Sequence, residues 1–340
     1  MKINKTALIT GTTGQDGSYL SELLLEKGYK VYGLIRRSSV NTTERITHLI
    51  NKSNFELIEG DITDSACIYE LISGIKPNEV YNLAAMSHVG TSFKQPVVSC
   101  TVNAIGPLNI LEAIRQTSPK TKFYQASTSE LFGNTDVVSQ SEITPMKPNS
   151  PYAISKLYAH QLVNLYRNAY NVFACAGILF NHESPRRGEN FVTKKITKYV
   201  AMLLNWMDLN DGFPTKGVDV PPLFLGNIGT KRDWSHAKDM VYGMWLMLQY
   251  NKPDDYVLGS GKTHSVENFL DIAFAGSAGL DYKDYVVIDK KFYRPMDINL
   301  LCADSSKAKR VLGWKPTIHF TDMIDCMVQD DYEKLIKCRD

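Results

Sequence analysis

The stretch Thr6-Ala7-Leu8-Ile9-Thr10-Gly11-Thr12-Thr13-Gly14-Gln15-Asp16-Gly17, running on into Ser18 to Lys27, decides the fold. A short apolar run, a glycine-rich turn and a helical pattern follow one another in that order. The order predicts a strand over Thr6–Thr10, a tight turn, and a helix whose N-terminus faces the turn. Glycines let the chain turn sharply and let backbone N–H groups approach a pyrophosphate, where the helix dipole favours negative charge. Gly11, Thr12, Thr13, Gly14, Gln15, Asp16 and Gly17 are therefore read as a dinucleotide-binding loop.

Further strands are expected over Lys30–Ile35, Phe55–Glu59, Glu79 to Leu83, Lys122 to Ala126 and Val172 to Leu179, with helical patterns between them. Strands alternating with helices indicate βαβ units and a parallel sheet covered on both faces. The expected fold is α/β, a Rossmann-type doubly wound parallel sheet with a smaller, discontinuous α/β substrate-binding lobe. Residues 1–180, with returning segments near 232–258 and 298–304, form the first unit, and 181–231 with 259–340 the second. From Asn181 to Lys231 the chain is rich in charge, Gly and Pro, which reads as loops that contact a ligand. Met240 to Tyr250 reads as a buried core helix. No period of about 20–50 residues marks a repeat array.

A chain of 340 residues with 44% hydrophobic and 22% charged residues is an ordinary globular composition. Lys plus Arg number 38 against 36 Asp plus Glu, a net charge of +2, so no general attraction to nucleic acid or an anionic membrane is expected. An anionic ligand must then be held by local charges. Met1 to Gly11 lacks the features of a signal peptide, and no run nears about 18 uninterrupted apolar residues. The six cysteines are scattered without a C-x-x-C pair, which argues against a zinc site or a disulfide framework and for a reducing, cytoplasmic setting.

Beyond the second strand stand Arg36-Arg37-Ser38-Ser39, where an NAD-specific protein places an acid for the ribose 2′-OH. Arginine binds phosphate through paired N–H groups, so Arg36 and Arg37, with Ser38, point to the 2′-phosphate of NADP. Asp61 and Ile62 follow the third strand and Leu83-Ala84-Ala85 the fourth, where small residues let a cofactor pass close to the backbone. The G-x-x-G-x-x-G spacing resembles the short-chain dehydrogenase/reductase superfamily. Tyr152 and Lys156, four residues apart after Pro151, lie on one face of a helix. Each nearby cation favours a phenolate by about 4 kcal/mol at about 4 Å and an effective dielectric of about 20, before desolvation opposes it. Lys156 and an oxidised nicotinamide together are expected to bring Tyr152 close to neutrality, as a general base requires. Ser127 to Gly133 follows the fifth strand: Thr128 can hydrogen-bond a sugar hydroxyl, and Glu130 can take a carbon-bound proton and protonate a departing hydroxyl.

With Asn181-His182-Glu183-Ser184-Pro185-Arg186-Arg187-Gly188, Lys231-Arg232-Asp233-Trp234 and Leu312-Gly313-Trp314-Lys315-Pro316, these motifs resemble the GDP-mannose 4,6-dehydratase family over nearly the whole chain. The resemblance implies Thr128, Glu130 and Tyr152 as catalytic residues with Lys156 in support. It implies NADP contacts from Gly11 to Asp16, Arg36, Asp61, Ile62, Leu83 to Ser87, Lys156, His182 and Arg187. At the GDP-mannose end it points to Asn181, Lys195, Arg232 and Arg294, alongside Ser87, Thr128 and Glu130. No metal is expected, and a homo-oligomer, dimer or tetramer, is. Met86, Val98 and Phe132 depart from the family pattern near the nicotinamide. Two alternatives stay open: an NADP-dependent nucleotide-sugar reductase or epimerase, including reduction of the 4-keto product to GDP-rhamnose, and a silent NADP-binding regulator.

Overall fold

The computed structural model describes residues 5–293, 296, 298 and 300–337. Its strands, in chain order, are β1 (Thr6–Thr10), β2 (Lys30–Ile35), β3 (Phe55–Glu59), β4 (Glu79–Asn82), β5 (Lys122–Thr128), β6 (Ala174–Leu179), β7 (Asn181–Glu183), β8 (Leu223–Leu225), β9 (Lys231–His236), β10 (Asp255–Leu258), β11 (Thr263–Ser265), β12 (Val286–Ile288) and β13 (Leu300–Leu301). Seven of them make one sheet in the order β10-β6-β5-β4-β1-β2-β3, with every neighbour parallel. A parallel sheet must be covered on both faces, which is why Ala7, Leu8 and Ile9 are all fully buried with no alternation. Helices Gln15–Glu26 and Ala237–Gln249 pack on one face through Leu20, Leu24, Met240 and Met244. Helices Ser65–Ile75, Gly106–Thr117 and Pro151–Ala169 cover the other through Ile68, Ile110 and Val163.

The chain winds from β1 outward to β3, then returns past β1 to β4 and continues the other way. This reversal opens a crevice beyond the carboxyl ends of β1 and β4, the usual ligand position in such sheets. A buried polar ladder fixes those ends: Thr10 Oγ1 donates to Asn82 Oδ1 at 2.6 Å, and Asn82 Nδ2 donates to Gln125 Oε1 at 2.8 Å.

Two residues after β6, at Asn181, the chain crosses into a second sheet, where β7, β11 and β13 pair with β9. Its own core joins Ile196, Val200 and Leu203 of helix Val192–Asn210 to Met323, Ile324 and Met327 of helix Phe320–Lys337. β8 and β12 form a separate parallel pair.

Two expectations are corrected. The segment Asn181 to Lys231, read as loops, contains the 19-residue helix Val192–Asn210, whose apolar positions Ile196, Tyr199, Val200 and Leu203 follow the helical period despite the lysines between them. The strand expected from Val172 starts at Ala174, because Asn171 takes φ +54° and the Val172 N–H returns to the Tyr166 carbonyl at 3.2 Å. The run Pro96–Thr117 is long and apolar enough to cross a membrane by length and composition, and half of its most apolar window is buried inside the fold.

Candidate active site

A single cleft of about 1110 Å³ runs along the carboxyl edge of the large sheet, from Arg36 and Asp61 past Tyr152 to Phe224 and Phe292 of the second lobe. It exceeds the about 300–1,000 Å³ of a pocket for one small ligand.

At one end, Gly11 takes φ +70°, and a Cβ there would lie 2.8 Å from the Ala84 backbone nitrogen. Gly17 packs closer still, with a Cβ position 2.3 Å from the Gly11 carbonyl oxygen. These contacts bring the helix start flush against β1 and β4. Gly14, the N-cap of helix Gln15–Glu26, has no side chain to cap the first-turn N–H groups, so the cradle suits a pyrophosphate. Gly11, Thr13, Gly14, Gln15, Asp16, Gly17, Arg36, Asp61, Ile62, Leu83, Ala84, Ala85 and Ser87 all line the cleft. Thr12 is fully buried with its hydroxyl 3.0 Å from Ser21 Oγ, and Arg37 and Ser38 are exposed outside the lining.

The floor is formed where β5 ends. Thr128 caps the single turn Ser129–Phe132 by accepting the Glu130 N–H at 3.3 Å, and Gly133 closes that turn at φ +57°. A Cβ on Gly133 would lie 1.9 Å from the Lys147 carbonyl oxygen, so this stop requires glycine. Ser150 caps helix Pro151–Ala169 by accepting the Ala153 N–H at 3.1 Å, which fixes Tyr152 and Lys156 on the face toward the cleft. Thr128, Glu130, Tyr152 and Lys156 are each less than 10% exposed. The Thr128 hydroxyl hydrogen-bonds Tyr152, and Lys156 Nζ donates to the Ala126 carbonyl at 2.9 Å.

Burial pushes the Tyr152 hydroxyl up to about 12; Thr128 opposes the rise, Glu130 and Asp16 add to it, and Arg187 opposes it. The expectation that Lys156 helps bring Tyr152 toward neutrality is therefore not met by the protein groups alone, because Lys156 points at Ala126 and burial lowers it to about 8.

His182 ties the two lobes. Its Nε2 lies 2.8 Å from Asp16 Oδ2 and its Nδ1 2.7 Å from the Phe180 carbonyl. An ionised carboxylate and a carbonyl only accept, so this geometry favours hydrogen on both ring nitrogens, the imidazolium form. Burial opposes that charge, but Asp16 outweighs it and holds His182 above its ordinary value; His182 likewise holds Asp16 below its own value against its burial. Gln15 Nε2 donates to the His182 carbonyl at 3.2 Å and Ser184 Oγ to Gln15 Oε1 at 2.8 Å, extending the seam.

Asp16→Asn should strand the imidazolium and lower stability by about 1–3 kcal/mol. His182 sits above 6.5, so its contribution is complete below 6.5 and lost as pH rises through the folded value; Asp16 sits below 3.8, so its contribution holds above 3.8 and is lost as pH falls through its folded value. The gap in melting midpoint between wild type and variant is expected to be widest between those limits and to close at alkaline pH. A gap that widens there would contradict the ion pair.

Toward the second lobe, Asn181, Arg187, Lys195 and Arg232 line the cleft. Arg187 Nε is 3.0 Å from Glu183 Oε2, close enough for an ion pair though too bent for a hydrogen bond, and its guanidinium lies 3.6 Å from the Phe191 ring centre. Arg232 Nη1 donates to the Ile298 carbonyl at 2.7 Å. Arg294 lies outside the described residues. Lys291 stands 5.2 Å over Phe224 and 5.0 Å over Phe292, forming an aromatic rim with a cation. Sequence motifs missed Arg45, Phe191, Phe224 and Phe292, which line the cleft only because distant segments fold together. Among the described residues no group of three or more His, Cys, Asp or Glu is placed to hold a metal.

A glycine-rich loop at the switch point of a doubly wound sheet, facing a buried Tyr–Lys pair, defines a dinucleotide-dependent α/β enzyme of the short-chain dehydrogenase/reductase type. A family model described as GDP-mannose 4,6 dehydratase matches residues 8–327. The chain belongs to the GDP-mannose 4,6-dehydratase family. It is 50% identical to GDP-mannose 4,6 dehydratase 1 of Arabidopsis thaliana, over 98% of this chain and 91% of that protein. It is 44% identical to GDP-mannose 4,6 dehydratase of Homo sapiens, over 98% of this chain and 92% of that one. The solved UDP-glucose 4-epimerase of Thermotoga maritima with UDP-glucose shares the fold, with a TM-score of 0.83 at 24% identity, covering 97% of this chain and 99% of that one.

Proposed function

We propose that the cleft converts GDP-mannose to GDP-4-dehydro-6-deoxymannose and water, using NADP that is regenerated within each turnover. Membership of the family over nearly the whole chain supports the hydro-lyase activity. The observation that carries the mechanism is Glu130 on the cleft floor beside Thr128 and Tyr152. A reductase or an epimerase that works by hydride transfer at carbon 4 needs proton transfer only at the oxygen, whereas elimination needs a base for a carbon-bound proton and an acid for the departing hydroxyl.

The cradle fits a dinucleotide: glycines admit the pyrophosphate, and Arg36 stands beyond β2 where an acid would select NAD. Held by the Gly11–Gly17 loop and Arg36, NADP would supply a reversible hydride acceptor, for the hydride of sugar carbon 4 and its return at carbon 6. Tyr152 accepts the proton of the carbon 4 hydroxyl, and Thr128 orients both by hydrogen bonding. Once carbon 4 is a ketone, the hydrogen on carbon 5 is acidic; Glu130 removes it and delivers it to the carbon 6 hydroxyl, which leaves as water, and after hydride returns at carbon 6 a solvent-derived proton completes carbon 5. Lys156, charged below about 8, adds its field to the site while the Ala126 carbonyl holds it in place.

Residues 1–180, with 232–258 and 298–304, hold the cofactor, and 181–231 with 259–340 hold the sugar nucleotide through Asn181 and Lys195, joined by Arg232 from the first residue of the returning segment. Free thiols at Cys67, Cys100, Cys175, Cys302 and Cys326 support a cytoplasmic setting. Exposed Ile154, Tyr158, Leu165, Val97 and Val98 on neighbouring helices support a homo-oligomer.

NADP should bind at least about tenfold better than NAD, about 1.4 kcal/mol, and Arg36→Ala should narrow the gap. Titration of the wild type with each cofactor checks this, and equal affinities would remove NADP from the mechanism.

A further inference from the structure

Arg45, in the short 3₁₀ helix Glu44–Leu49, is half-buried and lines the cleft. Its Nε donates to the Arg186 carbonyl at 2.8 Å and its Nη1 to the Thr13 carbonyl at 3.4 Å. Both acceptors are neutral. Its neighbours differ: Arg186 has the Glu22 carboxylate at 2.6 Å, and Arg187 has that of Glu183 at 3.0 Å. Among the described residues Arg45 has no carboxylate partner. Of the acids lining this end, Asp16 is paired with His182 at 2.8 Å, and Asp61 has Oδ1 taken by the Thr63 N–H and hydroxyl at 2.9 and 2.8 Å. Glu189, held low chiefly by its own partner Lys198 at 2.7 Å, is engaged elsewhere. A guanidinium is always charged, so Arg45 is a cation partly withdrawn from water, hydrogen-bonded to carbonyls, with the Glu189 carboxylate acting on it through space without a direct contact. That is half of an anion site.

The sheet register says which anion completes it. Thr10 pairs with Leu34, so the turns leaving β1 and β2 lie side by side, Thr13 in the first and Arg36 at the start of the second. In a dinucleotide crevice this is where the ribose 2′ position of the adenosine half sits. We infer that Arg45 and Arg36 together bind the 2′-phosphate of NADP, an inference that rests on the NADP reading above. Arg36 reaches in from the end of β2. Arg45 comes from the helical turn behind it, braced by the Thr13 and Arg186 carbonyls, with the other N–H groups of its fork left for phosphate oxygens.

Dissociation constants for NADPH and NADH, read from quenching of protein fluorescence, test the site in wild type, Arg45→Met and Arg45→Lys. Arg45→Met is expected to weaken NADPH by about tenfold or more and NADH by less than about threefold, with Arg45→Lys in between for NADPH, since a lysine keeps charge but not the fork. NADH serves as the control for damage to the fold. A wild type without preference for NADPH overturns the NADP reading and this site with it. A wild type with that preference, kept in full by Arg45→Met, overturns this site alone. Equal weakening of NADPH and NADH in both variants also overturns it, because the contact would then not be to the phosphate that distinguishes them.

Discussion

Tyr152→Phe is expected to lower turnover of GDP-mannose by about 10²–10⁴-fold, the usual contribution of a positioned acid–base group. The ring packs as before, so affinity for the sugar nucleotide should change little. What disappears is the acceptor for the carbon 4 hydroxyl proton. No neighbour replaces it: Lys156 Nζ is bonded to the Ala126 carbonyl, and Thr128 accepts the Glu130 N–H. The protein alone leaves Tyr152 up at about 12, so the positive nicotinamide must supply most of the pull toward phenolate, and the step should be steeply sensitive to the hydroxyl. Product formation measured with saturating NADP checks this, together with the absence of any 4-keto sugar on the enzyme. A variant within about threefold of wild type would remove Tyr152 from the chemistry.

Glu130→Gln is expected to lose turnover to a similar extent, about 10²–10⁴-fold, but at a different stage. The amide keeps the shape of the side chain and cannot take a proton from carbon. The first oxidation survives, so GDP-4-dehydromannose that keeps its carbon 6 hydroxyl should accumulate on the enzyme, where Tyr152→Phe accumulates none. A second effect follows from the charge. Glu130 adds to the burial that raises Tyr152, so its removal should move the rising limb of the first half-reaction, set by ionisation of Tyr152, to lower pH. Analysis of quenched single-turnover mixtures separates the two variants, and wild-type turnover by Glu130→Gln would make the carboxylate structural.

The winding of the large sheet was legible from Thr6 to Gly17, because strand, glycine turn and helix are local and their order is chemistry as well as structure. Tyr152 and Lys156 were legible for the same reason: a four-residue spacing after proline lies on one helix face wherever the helix goes. Helix Val192–Asn210 was hidden, since lysines at 194, 195 and 198 and the flanking charged turns masked its apolar stripe until Phe320–Lys337 packed on it. Thr12 was read as part of the cofactor loop with its neighbours, but its hydroxyl turns inward to Ser21. Arg45 carried no sequence signal, because its place depends on Thr13 and Arg186, brought to it by the tertiary fold. The ionisation of Tyr152 was only partly legible from spacing: helical neighbours share a face, but spacing does not say that Lys156 aims at a backbone carbonyl, nor how deeply the phenol is buried, so the share left to the nicotinamide did not show.

The internal redox dehydration is tested most directly by GDP-mannose carrying deuterium on carbon 4, incubated with catalytic NADP and no added reductant. The product is expected to be the 4-keto-6-deoxy sugar nucleotide with that deuterium on carbon 6 and a solvent-derived hydrogen on carbon 5. A 4-keto-6-deoxy product without label on carbon 6, or an epimer that retains its carbon 6 hydroxyl, would contradict it.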